Sequence, residues 1–235
     1  MQTLLIPTRS VAAATPRTRI IVADLGARAF SFHAGQAVFA GLADSTVKRP
    51  YSIACSPQHA ERKQAIELLV QIDDHAAPDP HLERVEPGTL LRVEGPFGSF
   101  ALPAPLAERR LLLVAGGTGI APLRAMLWDV LERAPDVAIT LIYSARAPEE
   151  FAFVEELAAL EAAHRLELVL TVTRRSSSSW TGARGRIDRT LITSSLKTAA
   201  TRCALCGPAE FVEDVSALLT ESGVPLEKIV TETYV

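Results

Sequence analysis

The sequence predicts a β + α/β protein, with an N-terminal antiparallel β-barrel followed by a doubly wound parallel-sheet domain. Up to about Pro105, short apolar stretches alternate with glycine and proline and show no convincing helical periodicity. Beyond it, apolar runs alternate with amphipathic stretches of helical length, the pattern of parallel strands joined by crossover helices. A glycine-rich junction, Gly116-Gly117-Thr118-Gly119, stands between the first of those apolar runs and the helix expected after it.

Candidate barrel strands lie at residues 19–22, 30–32, 37–39, 51–54, 66–70 and 90–93, punctuated by Gly26, Gly35, Pro57, Pro87 and Gly88. Six short strands without helices suggest a small barrel. Residues 1–23 carry Arg9, Arg17 and Arg19 and no acid, and read as a mostly polar lead-in to the first strand. The linker Leu102-Pro103-Ala104-Pro105-Leu106 sets the expected boundary, giving domains 1–104 and 105–235. In the second domain Leu111-Leu112-Leu113-Val114-Ala115 is continuously apolar, as a strand buried on both faces should be. Helix 121–133, strand 138–143, helix 148–163 and strand 166–172 follow. Then come a polar loop whose serines 176–179 suggest mobility, helix 188–196, strand 202–206, helix 209–222 and a last strand near 229–230.

A formal charge of −3 points away from nucleic acid and anionic membrane surfaces. The longest apolar stretch, 111–131, is broken by Gly116, Gly117, Gly119, Pro122 and Arg124, so no membrane span is expected. Leu4-Leu5-Ile6 stops at Pro7, short of a signal-peptide core, so a cytoplasmic location is expected. Cys55, Cys203 and Cys206 are too few for the four ligands of a [2Fe–2S] cluster. Cys203-x-x-Cys206 has no second pair, and the five histidines show no ligand spacing, so no metal site is expected.

The junction has a mechanism. Gly117 permits a tight turn, Gly119 is expected to let a phosphate approach the backbone, and the helix N-terminus offers unpaired N–H groups beside Thr118. Pro122 stands where the usual dinucleotide fingerprint has its third glycine, and proline suits a first helical turn. A pyrophosphate site is expected here. Where an acid would hold a free ribose diol the chain reads Tyr143-Ser144-Ala145-Arg146, and a hydroxyl plus a guanidinium suit a 2′-phosphate better. Arg174 and Arg175 could add to that clamp, while Glu149 and Glu150 weigh against it. NADPH is expected over NADH.

Four blocks recur in a telling order: Arg49-Pro50-Tyr51-Ser52, the glycine junction through Pro122, Cys206-Gly207-Pro208-Ala209-Glu210-Phe211, and Glu232-Thr233-Tyr234-Val235. From about Thr18 to Val235 the chain resembles the ferredoxin–NADP reductase family of flavoenzymes. Ala34-Gly35-Gln36 and Gly95-Pro96-Phe97-Gly98 also match it. The resemblance implies that Arg49 pairs with flavin phosphate, that Tyr51 packs on the flavin, and that Ser52 hydrogen-bonds near N5, with Pro50, Gly95 and Gly98 in the same site. It implies that Cys206-Gly207, followed by Pro208 and Phe211, lies against the nicotinamide, that Tyr234 stacks on the isoalloxazine, and that Glu232 shapes the pocket. Ser52, Cys206, Glu232 and Tyr234 are thus the expected catalytic residues.

Ala76-Ala77-Pro78-Asp79-Pro80-His81-Leu82 stands where many relatives carry a pyrophosphate-binding turn. Proline has no N–H to offer, and Asp79 would repel phosphate. FAD is the implied cofactor, with FMN or an exchangeable flavin as alternatives. The implied activity is a flavoprotein reductase moving a hydride from NADPH to flavin and electrons on to a separate ferredoxin-like acceptor. A flavin reductase using diffusible flavin, an electron-transfer subunit of a larger complex, and a nucleotide-sensing module are the alternatives.

Overall fold

The computed structural model describes residues 1–72, 82–174, 180–198 and 200–234. The expectations placed on 76–81, Arg175, 176–179 and Val235 lie outside the described residues.

The first strand begins far earlier than the sequence suggested. Residues read as a polar lead-in form β1 (Gln2–Thr15), because Leu4, Ile6 and Thr8 recur at every second position and all three are buried. Its first half pairs with β6 (Leu90–Phe97), from Gln2 opposite Gly95 to Pro7 opposite Leu90. Its second half pairs with β2 (Thr18–Asp24), from Thr8 opposite Ala23 to Thr15 opposite Thr18. An irregularity between Thr8 and Ser10 bends the strand so that it can serve both neighbours.

With β3 (Ala37–Leu42), β4 (Arg49–Ser52) and β5 (Ala65–Gln71), the antiparallel order is β4-β3-β6-β1-β2-β5. A bridge between Ile53 and Leu68 brings the two edges together, leaving a nearly closed barrel. The expected strand at 30–32 is a loop instead, with Phe32 buried and its ring 6.0 Å from that of Phe30. The barrel also carries a helix that was not expected, α1 (Pro57–Lys63). Ser56 caps it by accepting the His59 N–H at 3.1 Å, and Pro57 sits in its first turn, so a Ser-Pro pair that reads as a strand breaker is a helix start.

The second sheet contains β7 (Arg110–Gly116), β8 (Ala138–Ala145), β9 (Glu167–Val172), a short β10 (Ala183–Arg184), β11 (Arg202–Pro208) and β12 (Ile229–Tyr234). Its order is β10-β9-β8-β7-β11-β12 and every pairing is parallel. Helices α2 (Ile120–Arg133), α3 (Val154–Ala162), α4 (Arg189–Leu196) and α5 (Ala209–Glu221) make the crossovers. The helix expected at 148–163 is interrupted, since Phe153 adopts φ +60° before α3 starts. Phe151 and Ala152 instead tuck into the core beneath Tyr143, whose hydroxyl accepts the Ala152 N–H at 3.2 Å and whose ring meets Phe151 edge-on at 4.9 Å. Cys203 and Cys206 pack into core clusters on opposite faces of the sheet, so the Cys-x-x-Cys spacing is not a pair. Burial pushes the Cys203 thiol up to about 12, and that of Cys55 likewise.

One hydrophobic cluster spans both sheets: Ala34, Ala54, Leu69 and Phe100 join Leu111, Leu113, Leu123 and Met126. At Gly35 (φ +101°) a Cβ would stand 2.2 Å from the Phe100 carbonyl oxygen and 2.4 Å from Met126 Cε, which is why glycine is needed in that turn. Across the same seam lies Arg124 on α2, with a side chain 7% exposed. It donates to Glu156 through Nε (2.8 Å) and Nη2 (2.7 Å), and through Nη1 to Glu67 and to the Ala54 carbonyl, both at 2.6 Å. Its guanidinium also lies 4.3 Å from the Phe153 ring centroid, and Trp128 donates to Glu156 at 2.7 Å. Burial pulls the guanidinium's pKa down, but the two carboxylates outweigh it and hold the pKa above its ordinary value.

Removing one member of such a network strands the others. Arg124→Ala is expected to lower the unfolding free energy by roughly 3–5 kcal/mol in urea titrations, and adding Glu67→Gln and Glu156→Gln should recover part of that loss. A loss under about 1 kcal/mol would mean that the seam does not depend on the guanidinium.

Candidate active site

In the parallel sheet β7 lies at the centre, and the chain winds to β8 and β9 on one side and to β11 and β12 on the other. The crevice beyond the carboxyl ends of β7 and β11 is the place where ligands of such sheets collect. Register aligns the expected residues there: Ala115 stands opposite Cys206, Cys206 opposite Glu232, and Pro208 opposite Tyr234.

The glycines of the junction divide their work differently from the sequence expectation. Gly117 takes φ +56° and is exposed, so it makes the tight turn. Gly119 is buried with the side on which a Cβ would stand turned to β11. A Cβ there would stand 2.2 Å from the Cys206 carbonyl oxygen, so its smallness lets the turn pack on β11. Gly207 likewise makes room for a neighbouring side chain rather than for stacked ligand rings, because a Cβ would meet the Phe211 ring at 2.6 Å. The same ring covers Gly116. Thr118 is half-buried beside the N-terminus of α2, and Pro122 is buried in the first turn of that helix.

Ser52, at the end of β4, reaches across to the parallel sheet and donates to Glu232 Oε2 at 3.3 Å. Cys206 Sγ lies 4.0 Å from the same oxygen. The structure therefore brings three of the four expected catalytic residues together, with Ser52 and Cys206 on the carboxylate of Glu232. Burial raises the Glu232 pKa, opposed in part by the Ser52 hydrogen bond. Burial, then the charge of Glu232, pushes the Cys206 thiol up. Tyr234 donates to the Gly116 carbonyl at 2.5 Å, anchoring its ring on the glycine turn, and burial raises its pKa as well.

Arg49 and Tyr51 lie on one side of β4 and line a shallow depression with Gly41 and Leu82. Arg49 and Pro50 are exposed, and β4 is a sheet edge, where a proline without N–H is tolerated. The Gly95–Pro96 peptide is cis, the Phe97 ring stacks on Phe39 at 4.3 Å, and the Gly98 carbonyl accepts from Gln36 at 3.0 Å. A guanidinium, a phenol and a hydroxyl along one edge strand are a donor set that fits a flavin nucleotide, with a fork for phosphate and a ring for a ring.

A cleft of about 370 Å³ runs from Tyr234, Pro208 and Phe211, past Gly116, Gly117 and Thr118, to Ser144 and Arg146 at the end of β8. Arg174 is exposed just past β9, and its N–H donates to the Arg146 carbonyl at 3.0 Å. The far wall was not foreseen. Thr15, Arg17 and Thr18 of the β1–β2 hairpin line it, with Leu69 and Gln71 of β5. No sequence signal marks a hairpin of one sheet as a wall for a site on another. Among the described residues no cluster of His, Cys, Asp and Glu could hold a metal ion, and no helix is long and apolar enough to cross a membrane.

Residues 9–102 match the oxidoreductase FAD-binding domain family and residues 113–217 the oxidoreductase NAD-binding domain family. Ferredoxin–NADP reductase B of Sorangium cellulosum is 33% identical over 88% of this chain and 87% of its own length. An NADH-cytochrome b5 reductase-like protein of Arabidopsis thaliana is 28% identical over 72% of this chain, which spans only 52% of that protein. A solved ferredoxin NADP+ reductase from Neisseria gonorrhoeae with bound FAD and NADP shares the fold at a TM-score of 0.82, with 22% identity over 99% of both chains. An Amycolatopsis cytochrome P450 reductase shares it at 0.86, with 23% identity over 99% of this chain and 69% of the other.

The raised carboxyl of Glu232 has a measurable consequence. Its charged form is disfavoured in the folded state, so the cost is absent below the ordinary glutamate pKa and grows as pH rises through the folded value. Glu232→Gln is therefore expected to melt above the parent near neutral pH, with the gap closing as pH falls. A gap that is constant or reversed across that range would contradict this assignment.

Proposed function

From the premise that this chain belongs to the ferredoxin–NADP reductase family of FAD- and NAD-binding oxidoreductases, we propose that it is an NADPH-preferring reductase serving a separate, ferredoxin-like acceptor. The observation that carries the nucleotide preference is the end of β8. Ser144 and Arg146 line the cleft where an acid would otherwise hold a free ribose diol. Glu150 lines the cleft too and tempers the preference.

The residue roles follow from placement and chemistry. Residues 1–104 would hold the flavin and 105–235 the nucleotide. Arg49 pairs with flavin phosphate and Tyr51 offers its ring to the flavin. The turn at Gly117 and Thr118 takes the pyrophosphate on the N-terminus of α2. A flavin held at Arg49 and Tyr51 would supply the redox chemistry between the reduced nicotinamide and the acceptor. Around that exchange, Ser52 presents a hydroxyl oriented by Glu232, whose pKa burial raises. Cys206 stays a neutral thiol, so it adds bulk without charge. Tyr234, fixed to the Gly116 carbonyl, sets the end of the cleft against which the nicotinamide must settle. The protein thus contributes distance and orientation rather than an acid–base pair.

The acceptor assignment rests on the three cysteines, too few for a cluster within these residues, and on the name of the Sorangium relative. A cytoplasmic location is part of the same proposal. A second reading, a reductase of diffusible flavin, is favoured by Pro78, Asp79 and Pro80 where a pyrophosphate-binding turn is expected.

An anaerobic absorbance titration separates the two. The purified protein should carry a flavin, released as FAD, that bleaches with NADPH. A colourless protein that bleaches added flavin in many turnovers would establish the second reading. Arg146→Ala should raise KM for NADPH by about tenfold or more while changing that for NADH less than about twofold, the scale of one hydrogen bond to a charged group. Equal effects on both nucleotides would rule out the NADPH preference.

A further inference from the structure

We propose that Arg17, contributed by the barrel, is a specificity-determining residue that clamps the 2′-phosphate of the nucleotide against Arg146. The inference rests on the NADPH reading above and adds to it a cation from the opposite sheet.

Strands β1 and β2 pair as far as Thr15 opposite Thr18, which leaves Pro16 and Arg17 as the tip of a hairpin. The tip is pinned by its own backbone and flanks. Thr15 and Thr18 hydroxyls hydrogen-bond to each other at 2.8 Å, the Arg17 N–H donates to Thr15 Oγ1 at 3.1 Å, and the Arg17 carbonyl accepts from Ile72 at 2.7 Å. These contacts fix the backbone from which the Arg17 side chain springs. Arg17 lines the same cleft as Ser144, Arg146 and Thr173, which stand at or just beyond the ends of β8 and β9. It therefore faces the stretch of the cleft one strand removed from the pyrophosphate turn, where the adenosine end of an extended dinucleotide falls.

Two guanidiniums share the cleft lining with one carboxylate, Glu150. That is a complement to a phosphate monoester, which carries about −1.5 to −2 charges near neutral pH, and not to a neutral diol. A pinned turn also presents its side chain with less ordering left to do on binding, so more of the contact appears as affinity. Because Arg17 and Arg146 come from different sheets, the 2′-phosphate would be the group that ties the nucleotide to the barrel as well as to the parallel sheet.

The test is calorimetric, with the intact protein and two probes, 2′,5′-ADP and 5′-AMP. The parent should bind 2′,5′-ADP the tighter of the two. Arg17→Ala should weaken 2′,5′-ADP about tenfold and 5′-AMP less than about twofold, and Arg17→Lys, which keeps the charge but loses the fork, should fall between. Equal loss for both probes, or none for either, would overturn the role of Arg17 while leaving the NADPH reading intact. A parent that does not discriminate between the probes would overturn that reading and this inference with it.

Discussion

The seam between the two sheets depends on one buried cation. Arg124 sits four residues past the first residue of α2, and the N-terminus of that helix is also the end of the glycine turn. Its guanidinium binds Glu67 on β5, the Ala54 carbonyl just past β4, and Glu156 on α3. Fixing it therefore fixes the glycine turn relative to the edge strand that carries Arg49, Tyr51 and Ser52. Burying a guanidinium is costly, and here two carboxylates, a carbonyl and an aromatic face offset the cost. A network of this kind contributes less net stability than its short distances suggest, but it admits few alternative arrangements. A protein with one FAD-binding and one NAD-binding domain must hold the two at a set separation, and this seam constrains one sheet relative to the other.

Close backbone packing finishes what the cation starts. Gly119 lies against the carbonyl of Cys206, and the Phe211 ring lies over Gly116 and Gly207. The turn, the end of β11 and the start of α5 thus form one packed unit, in which a Cβ at Gly119 would press on the β11 backbone and one at Gly207 on the Phe211 ring. On that unit Glu232 and Tyr234 are placed by the parallel register of β12, which puts them opposite Cys206 and Pro208. Ser52 arrives from the barrel to meet them. The result is a half-buried polar cluster whose ionisable members are all shifted toward their neutral forms by the same cause, removal from water.

Chemistry and packing compete for the same residues. Glycine at 119 looks like an access point for phosphate because phosphate-binding turns are rich in glycine, and here the side on which a Cβ would stand is taken by β11. Gly207 looks like room for a ligand ring, yet Phe211 fills it. Gly117, with its positive φ and exposure, is the glycine of the junction whose freedom is used for the turn itself.

The sequence by itself determined the architecture and named the candidates for the site. Periodicity separated a barrel from a parallel sheet, and residues 111–115 announced a strand buried on both faces. Local blocks singled out Ser52, Cys206, Glu232 and Tyr234 through their resemblance to a known family, and the structure brings the first three together. Where side chains in a short window leave the outcome open, the sequence misled: residues 2–15 alternate too faintly to declare a strand, Ser56-Pro57 reads as a break, and 148–163 reads as one helix. Only the tertiary structure decided the partners. Arg124 appears in the sequence as an interruption of an apolar run, and its role depends on Glu67 and Glu156, far away along the chain. Arg17 appears as part of a polar lead-in, and its place in the cleft depends on how the barrel leans on the parallel sheet. Periodicity and motifs are local properties, whereas a contact between sheets is set by the packing of the whole chain, which no short window of residues contains.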